Sequence, residues 1–211
     1  MDAKLLSPIA AFAAALMIGC SPAPVSEKKA DVPEKKAAPV EPASAQSAIF
    51  AIYQVARTWA GDVEVLKLEN INLDEVKNQP GKYGAWRAMM ATKSGKKKRE
   101  YTYSVMEAGP TLHKGVFAQA EQGWVMSMQS RSFAIQAVKV DSPAAVEEAL
   151  KNKDVQEVLK KKADDPVQIQ LEWTGQTQVP AYRVIWGPSL SMSDISIYID
   201  SQTGTFLKKA R

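Results

Sequence analysis

The chain has 211 residues, 45% of them hydrophobic and 24% charged, with a formal net charge of +4. These proportions fit one or two globular domains, and so small a positive excess gives no reason to expect nucleic acid as a partner. One cysteine, Cys20, and one histidine, His113, exclude an intrachain disulfide and leave no ligand cluster for zinc or another transition metal.

In chain order, the first segment is MDAKLLSPIAAFAAALMIGC. Lys4 supplies a short positive start, and residues 5–19 are apolar apart from Ser7 and Pro8. That run is too short for a relaxed transmembrane helix but suits the apolar region of an export signal. At its end, Met17-Ile18-Gly19-Cys20 resembles the lipobox of bacterial lipoprotein signal peptides, with Met17 where Leu is usual. The resemblance implies that residues 1–19 are a signal peptide and that Cys20 becomes the first mature residue. Cys20 would then carry diacylglycerol on its sulfur and acyl chains such as palmitate, anchoring the protein to a membrane through buried CH₂ groups. Ser21, not Asp, follows it. This resembles the default sorting of Gram-negative lipoproteins to the outer membrane, facing the periplasm. A catalytic role for Cys20 finds no support, because its flanks predict no fold and His113 is the only histidine to serve as its base.

Residues 21–46 read SPAPVSEKKADVPEKKAAPVEPASAQ. Pro, Ala, Glu and Lys cannot bury enough apolar surface to offset their ordering entropy. With Cys20 they are expected to form a disordered, extended tether, and the fold is expected from residue 47 onward. All five tryptophans and all six tyrosines lie beyond that point.

Residues 49–61 place apolar side chains at 49, 52, 53, 56, 59 and 60, a helical stripe closed by Gly61. Three strand-like runs follow at 63–71, 82–91 and 99–108, separated by turn-rich QPG and KSGKKK, and another strand is expected after EAGPTLHKG. Ser142-Pro143 then opens a second helical stretch. Val146, Ala149 and Leu150 face one way and Val155, Val158 and Leu159 nearly the opposite way, which predicts two short helices or a bend near Asn152. VQIQLEW, PAYRVIWG and DISIYID read as strands, with SQTG turning the last into TFLKK.

Both halves therefore read as helix followed by strands, with WRAMM and YRVIW in corresponding slots. The expected architecture is α+β: two similar modules, 47–140 and 141–211, each with helix packed on antiparallel sheet. Residues 180–207 resemble the end of a PepSY-type module through Ile197, Ile199, Asp200, Thr203, Gly204 and Phe206. The resemblance covers 141–208 better than 49–120. It implies a small non-catalytic domain that binds or inhibits a partner, a peptidase among the possibilities, and it supplies no catalytic residues. Elementary chemistry gives the motif a structural task as well: Asp200 can accept from turn amides, and Gly204 can take positive φ.

Catalytic patterns are otherwise missing. There is no G-x-x-x-x-G-K, G-x-G-x-x-G or G-x-S-x-G, so no cofactor is expected. The pairs Glu147/Glu148 and Asp164/Asp165 lack the apolar surroundings that would tune a carboxyl for acid catalysis. Two surface features stand out. Lys93, Lys96, Lys97, Lys98 and Arg99 form a dense basic run, suited either to guarding a strand edge or to touching lipid headgroups, lipopolysaccharide or an acidic partner. Trp124, beside Met126 and Met128, suits either packing or an adaptable binding patch. The sequence thus reads as a non-enzymatic, membrane-anchored envelope lipoprotein with an envelope protein as partner. The competing readings are an envelope hydrolase with a carboxylate site and a carrier of lipid or glycan.

Overall fold

Helix α1 spans Ala45–Trp59 and buries Ala45, Ala48, Ile49, Ile52 and Ala56. The structure, a computed structural model, describes residues 40–210; Cys20, the signal peptide and most of the expected tether lie outside these residues. The tether nevertheless ends earlier than expected. Ser44 caps α1 by accepting from the Ser47 amide at 3.3 Å, and Ala43–Ser44 (β1) pairs with Lys82–Tyr83 (β3). Residues 43–46 are therefore folded, not linker. The alanines that look like linker composition are the small residues that let this helix approach the sheet closely.

After α1 comes an antiparallel meander of β2 (Val63–Ile71), β4 (Ala85–Thr92), β5 (Lys97–Ser104) and β6 (Gly115–Gly123). The chain returns through β7 (Ser130–Arg131) and a turn of 3₁₀ helix at Ile135–Ala137. Two helices follow, α2 (Ser142–Leu150) and α3 (Lys153–Lys161), the second capped by Asn152 through the Asp154 amide at 2.9 Å. A second meander then runs through β8 (Val167–Thr174), β9 (Pro180–Trp186), β10 (Ile195–Asp200) and β11 (Phe206–Lys209).

The first strands of the two meanders pair with each other, Leu68 opposite Leu171. The result is one sheet in the order β11-β10-β9-β8-β2-β4-β5-β6, with β7 added beside β8. The fold is thus α+β, with the three α-helices of the described residues on one face of a large antiparallel sheet. The halves repeat a connectivity, but they share one sheet and one core and belong to one compact unit. That core holds Ile49, Leu68, Trp86 and Tyr101 from the first half and Val146, Leu171, Tyr182 and Ile197 from the second. The opposite face is mixed: a smaller apolar cluster of Leu73, Val76, Ala85 and Leu112 lies there beside charged side chains. There Arg87 bridges Glu69 at 3.2 Å and Glu100 at 3.3 Å, and Lys67 meets Glu69 at 2.7 Å.

Equivalent polar contacts tie each meander to its helix. Trp86 in β4 donates from Nε1 to the Ala43 carbonyl at 2.9 Å, and Tyr182 in β9 donates its hydroxyl proton to the Val140 carbonyl at 2.9 Å. Each acceptor immediately precedes an N-cap residue, Ser44 or Asp141. The two helix N-termini also meet. Asp141 Oδ1 accepts from the Ser142 amide at 2.7 Å and from the Gln46 amide at 2.9 Å. Ser142 Oγ accepts from the Ala45 amide at 2.8 Å and donates to the Gly81 carbonyl at 2.6 Å. One carboxylate thus satisfies free amides of two helices where both macrodipoles favour negative charge. Gly81 is required at this junction: its φ is +76°, and a Cβ there would lie 2.4 Å from the Pro143 nitrogen.

Candidate functional site

The broken α2–α3 pair leaves a cleft of about 380 Å³ at one end of the sheet. Val146 and Leu150 enter it from α2, Leu159 from α3, and Val167 and Trp186 from neighbouring ends of β8 and β9. The loop between β2 and β3 closes the other side, contributing Asn72, Asn78 and Gln79, with Tyr83 just beyond. The walls are apolar and the polar groups sit at the margin, the composition of small-ligand and side-chain pockets. Tyr83 is fixed there by donating to the Val167 carbonyl at 3.0 Å, and burial pushes its hydroxyl well above the ordinary tyrosine range.

A carboxyl pair stands at the cleft margin, between residues far apart in sequence. Asp165 lines the cleft with its carboxyl close to that of Asp194, and the buried Oδ2 of Asp165 has no hydrogen-bond partner. Desolvation first, and then the neighbouring Asp194 carboxyl, raise the Asp165 pKa, while the nearby Lys162 ammonium opposes the rise. Lys162 meets Asp194 Oδ2 at 2.7 Å. The adjacent pair Asp164/Asp165 is therefore not the one that matters. Sequence spacing gave no signal for Asp194, which the α3–β8 connection and the loop before β10 bring opposite Asp165.

The basic run lies at the other end of the strands. Lys93 and Lys96 are exposed at the turn between β4 and β5, and Lys98 is half-buried. Among the described residues, no carboxylate forms an ion pair with these three. The other two cations have partners. Lys97 meets Glu121 at 2.9 Å. The Arg99 guanidinium lies 5.1 Å from the centre of the Trp59 ring. Trp59 is half-buried, packs against the core and donates Nε1–H to Glu121 at 2.8 Å. That bond, helped by Lys97, holds the Glu121 carboxyl below its usual range.

Trp124 joins the same end. Its amide donates to the Lys96 carbonyl at 3.0 Å, and its ring lies 3.8 Å from where a Cβ on Gly95 would be. The structure thus brings together the basic run and the tryptophan, which the sequence separates by more than twenty residues. Val125, Met126 and Met128 project beside them, 82%, 45% and 81% exposed.

Other singled-out residues have local structural tasks. Asp200 Oδ1 accepts from the Gln202 and Thr203 amides at 2.7 and 3.1 Å, and Gly204 has φ +75°. The D-x-x-T-G stretch is therefore a side-chain-braced hairpin turn. His113 is exposed, with Nδ1 3.2 Å from Glu107 Oε2. Glu148 pairs with Lys151 at 2.8 Å along the surface of α2. Among the described residues, no group of three His, Cys, Asp or Glu is placed to hold a metal ion, and no helix is long and apolar enough to cross a membrane. No family model, curated protein or solved structure matches this chain.

Proposed function

We propose that this protein is a non-enzymatic binding lipoprotein of the bacterial cell envelope. Cys20 carries its lipid, and the outer membrane's periplasmic face is its station. Its α+β domain takes an apolar side chain of an envelope protein into the cleft between α2, α3 and the β2–β3 loop. The cleft itself carries the reading. Its floor of Trp186, Val167 and Tyr83 and its walls of Leu150 and Leu159 exclude water around an apolar group. Asn72, Asn78 and Gln79 stand where they can meet the backbone of the segment that carries it. The PepSY-type resemblance of 141–208 adds a peptidase as the partner class.

A photo-crosslinking residue at Leu150, introduced in the producing cells, tests this. A discrete protein adduct is expected there. None is expected from the same residue at Glu157, which is exposed on α3 but does not line the cleft. No adduct at Leu150, or the same adducts from both positions, counts against the reading.

One observation favours a second reading, acid catalysis at the same cleft. The Asp165 and Asp194 carboxyls lie close together beside an apolar wall, and a carboxyl with a raised pKa can hold a proton to give. That reading requires a hydrolytic activity on envelope peptides or glycans that Asp165→Asn abolishes while leaving the fold intact.

A further inference from the structure

We propose that the end of the sheet opposite the cleft is a docking surface for an anionic lipid bilayer. Lys93, Lys96 and Lys98 supply its charge, and Val125, Met126 and Met128 supply its inserting side chains. Three observations combine here. First, among the described residues Val125 and Met128 are the two most exposed large apolar side chains, and they lie three residues apart on one projecting segment. Contiguous exposed apolar side chains rimmed by charge mark membrane or protein contacts. Second, the flanking charge is cationic and uncommitted. The two carboxylates nearby are already engaged: Asp62 accepts from the Ser94 amide at 3.4 Å, and Glu121 serves Lys97 and Trp59. Third, Trp124 is half-buried at the base of the projection, the place an amphipathic ring takes at a membrane–water boundary.

Charge, more than shape, selects a bilayer. Val125 and Met126 project, and Met128 edges an open hollow beside Arg131 and Trp173. The two thioethers are unbranched and adapt to a fluid surface. Electrostatics agree, since each lysine near an anionic surface adds attraction, and the three lysines outnumber the nearby Asp62 carboxylate, which meets only the Ser94 amide.

The tether permits this orientation. Residue 43 pairs with Tyr83 near the cleft end, so the chain enters the fold far from the patch. The distance to cover is one strand length, on the order of 30 Å. The nineteen residues between Cys20 and Val40 reach at most about 65 Å. A lipid on Cys20 and the patch can therefore share one bilayer, and the cleft then faces away from it. The patch itself is independent of whether a partner uses the cleft.

Sedimentation with lipid vesicles tests the proposal, using residues 40–210, which contain the complete core. The protein is expected to bind vesicles containing phosphatidylglycerol, to bind phosphatidylcholine vesicles far more weakly, and to release as salt rises. Lys93→Ala and Lys96→Ala should each lower the partition coefficient about fivefold. Val125→Asp with Met128→Asp should remove binding, while an unchanged unfolding midpoint shows the fold intact. Leu150→Lys, at the cleft, should bind vesicles like the parent. Equal binding to neutral vesicles, or lysine and apolar variants that bind like the parent, would overturn the proposal. Polyglutamate competing as well as anionic vesicles would assign the patch to an acidic protein instead.

Discussion

The two halves of the sheet solve one covering problem differently. Each presents four antiparallel strands whose inner face must be shielded from water. The first half uses a single fifteen-residue helix, α1, which packs against β2, β4, β5 and β6. The second uses two nine-residue helices broken at Asn152, with α2 on β9 and β10 and α3 on β10. In the first half, the apolar residues of α1 lie in one stripe, so a straight helix buries them. In the second, a straight helix would point Val146 and Val155 in different directions. The break lets both turn inward, and both are buried. It also leaves Leu150 and Leu159 over a gap, and that gap is the cleft. A continuous stripe closes a layer, and an interrupted one opens a site.

The largest expected effect tests whether the halves are one unit. Leu171 and Leu68 face each other at the seam and are almost fully buried. Leu171→Ala should cost about 2–5 kcal/mol. Because the core is shared, calorimetry should still record a single transition. Two separated transitions would show that the halves unfold as independent modules.

A smaller effect concerns the junction of the helix N-termini. Asp141 serves amides of both α1 and α2, whereas Asn152 caps only α3. Asp141→Ala should cost about 1–2 kcal/mol and Asn152→Ala about 1 kcal/mol or less, measured by urea denaturation. Equal costs would show that Asp141 acts on one helix alone.

The smallest effect lies on the polar face of the seam, where Glu172 stands opposite Lys67. Burial raises its pKa, and Lys67 and Arg183 pull it back only in part. Folding therefore favours its protonated form. The stability this gives is fully present below its unfolded pKa and is lost as pH rises through the higher folded value. Glu172→Gln stays neutral, so it should be more stable than the parent at pH 7, with the difference shrinking as the pH falls toward about 4. A variant less stable than the parent at pH 7 would mean that the Lys67 and Arg183 attractions outweigh desolvation.

Periodicity and turn chemistry are local, and so they were legible in the sequence. The alternation of VQIQLEW, the Ser-Pro start of α2, the break at Asn152 and the Asp200–Gly204 turn all follow from neighbours a few residues apart. The same reasoning misplaced the start of α1, because alanine gives no hydrophobic contrast between a tether and a close-packed helix. It also gave no sign that Trp59, while packing against the core, would reach Glu121 and Arg99 on the neighbouring strands.

What the sequence by itself determined is the α+β class and the order of the main helices and strands. Each rests on residue order over short spans. Only the tertiary structure decided that β2 pairs with β8, that Asp165 meets Asp194 and that Trp124 joins the basic hairpin. It also placed the cleft and the patch at opposite ends of one sheet. Those facts depend on contacts between residues far apart in the chain, which packing selects and no local pattern encodes.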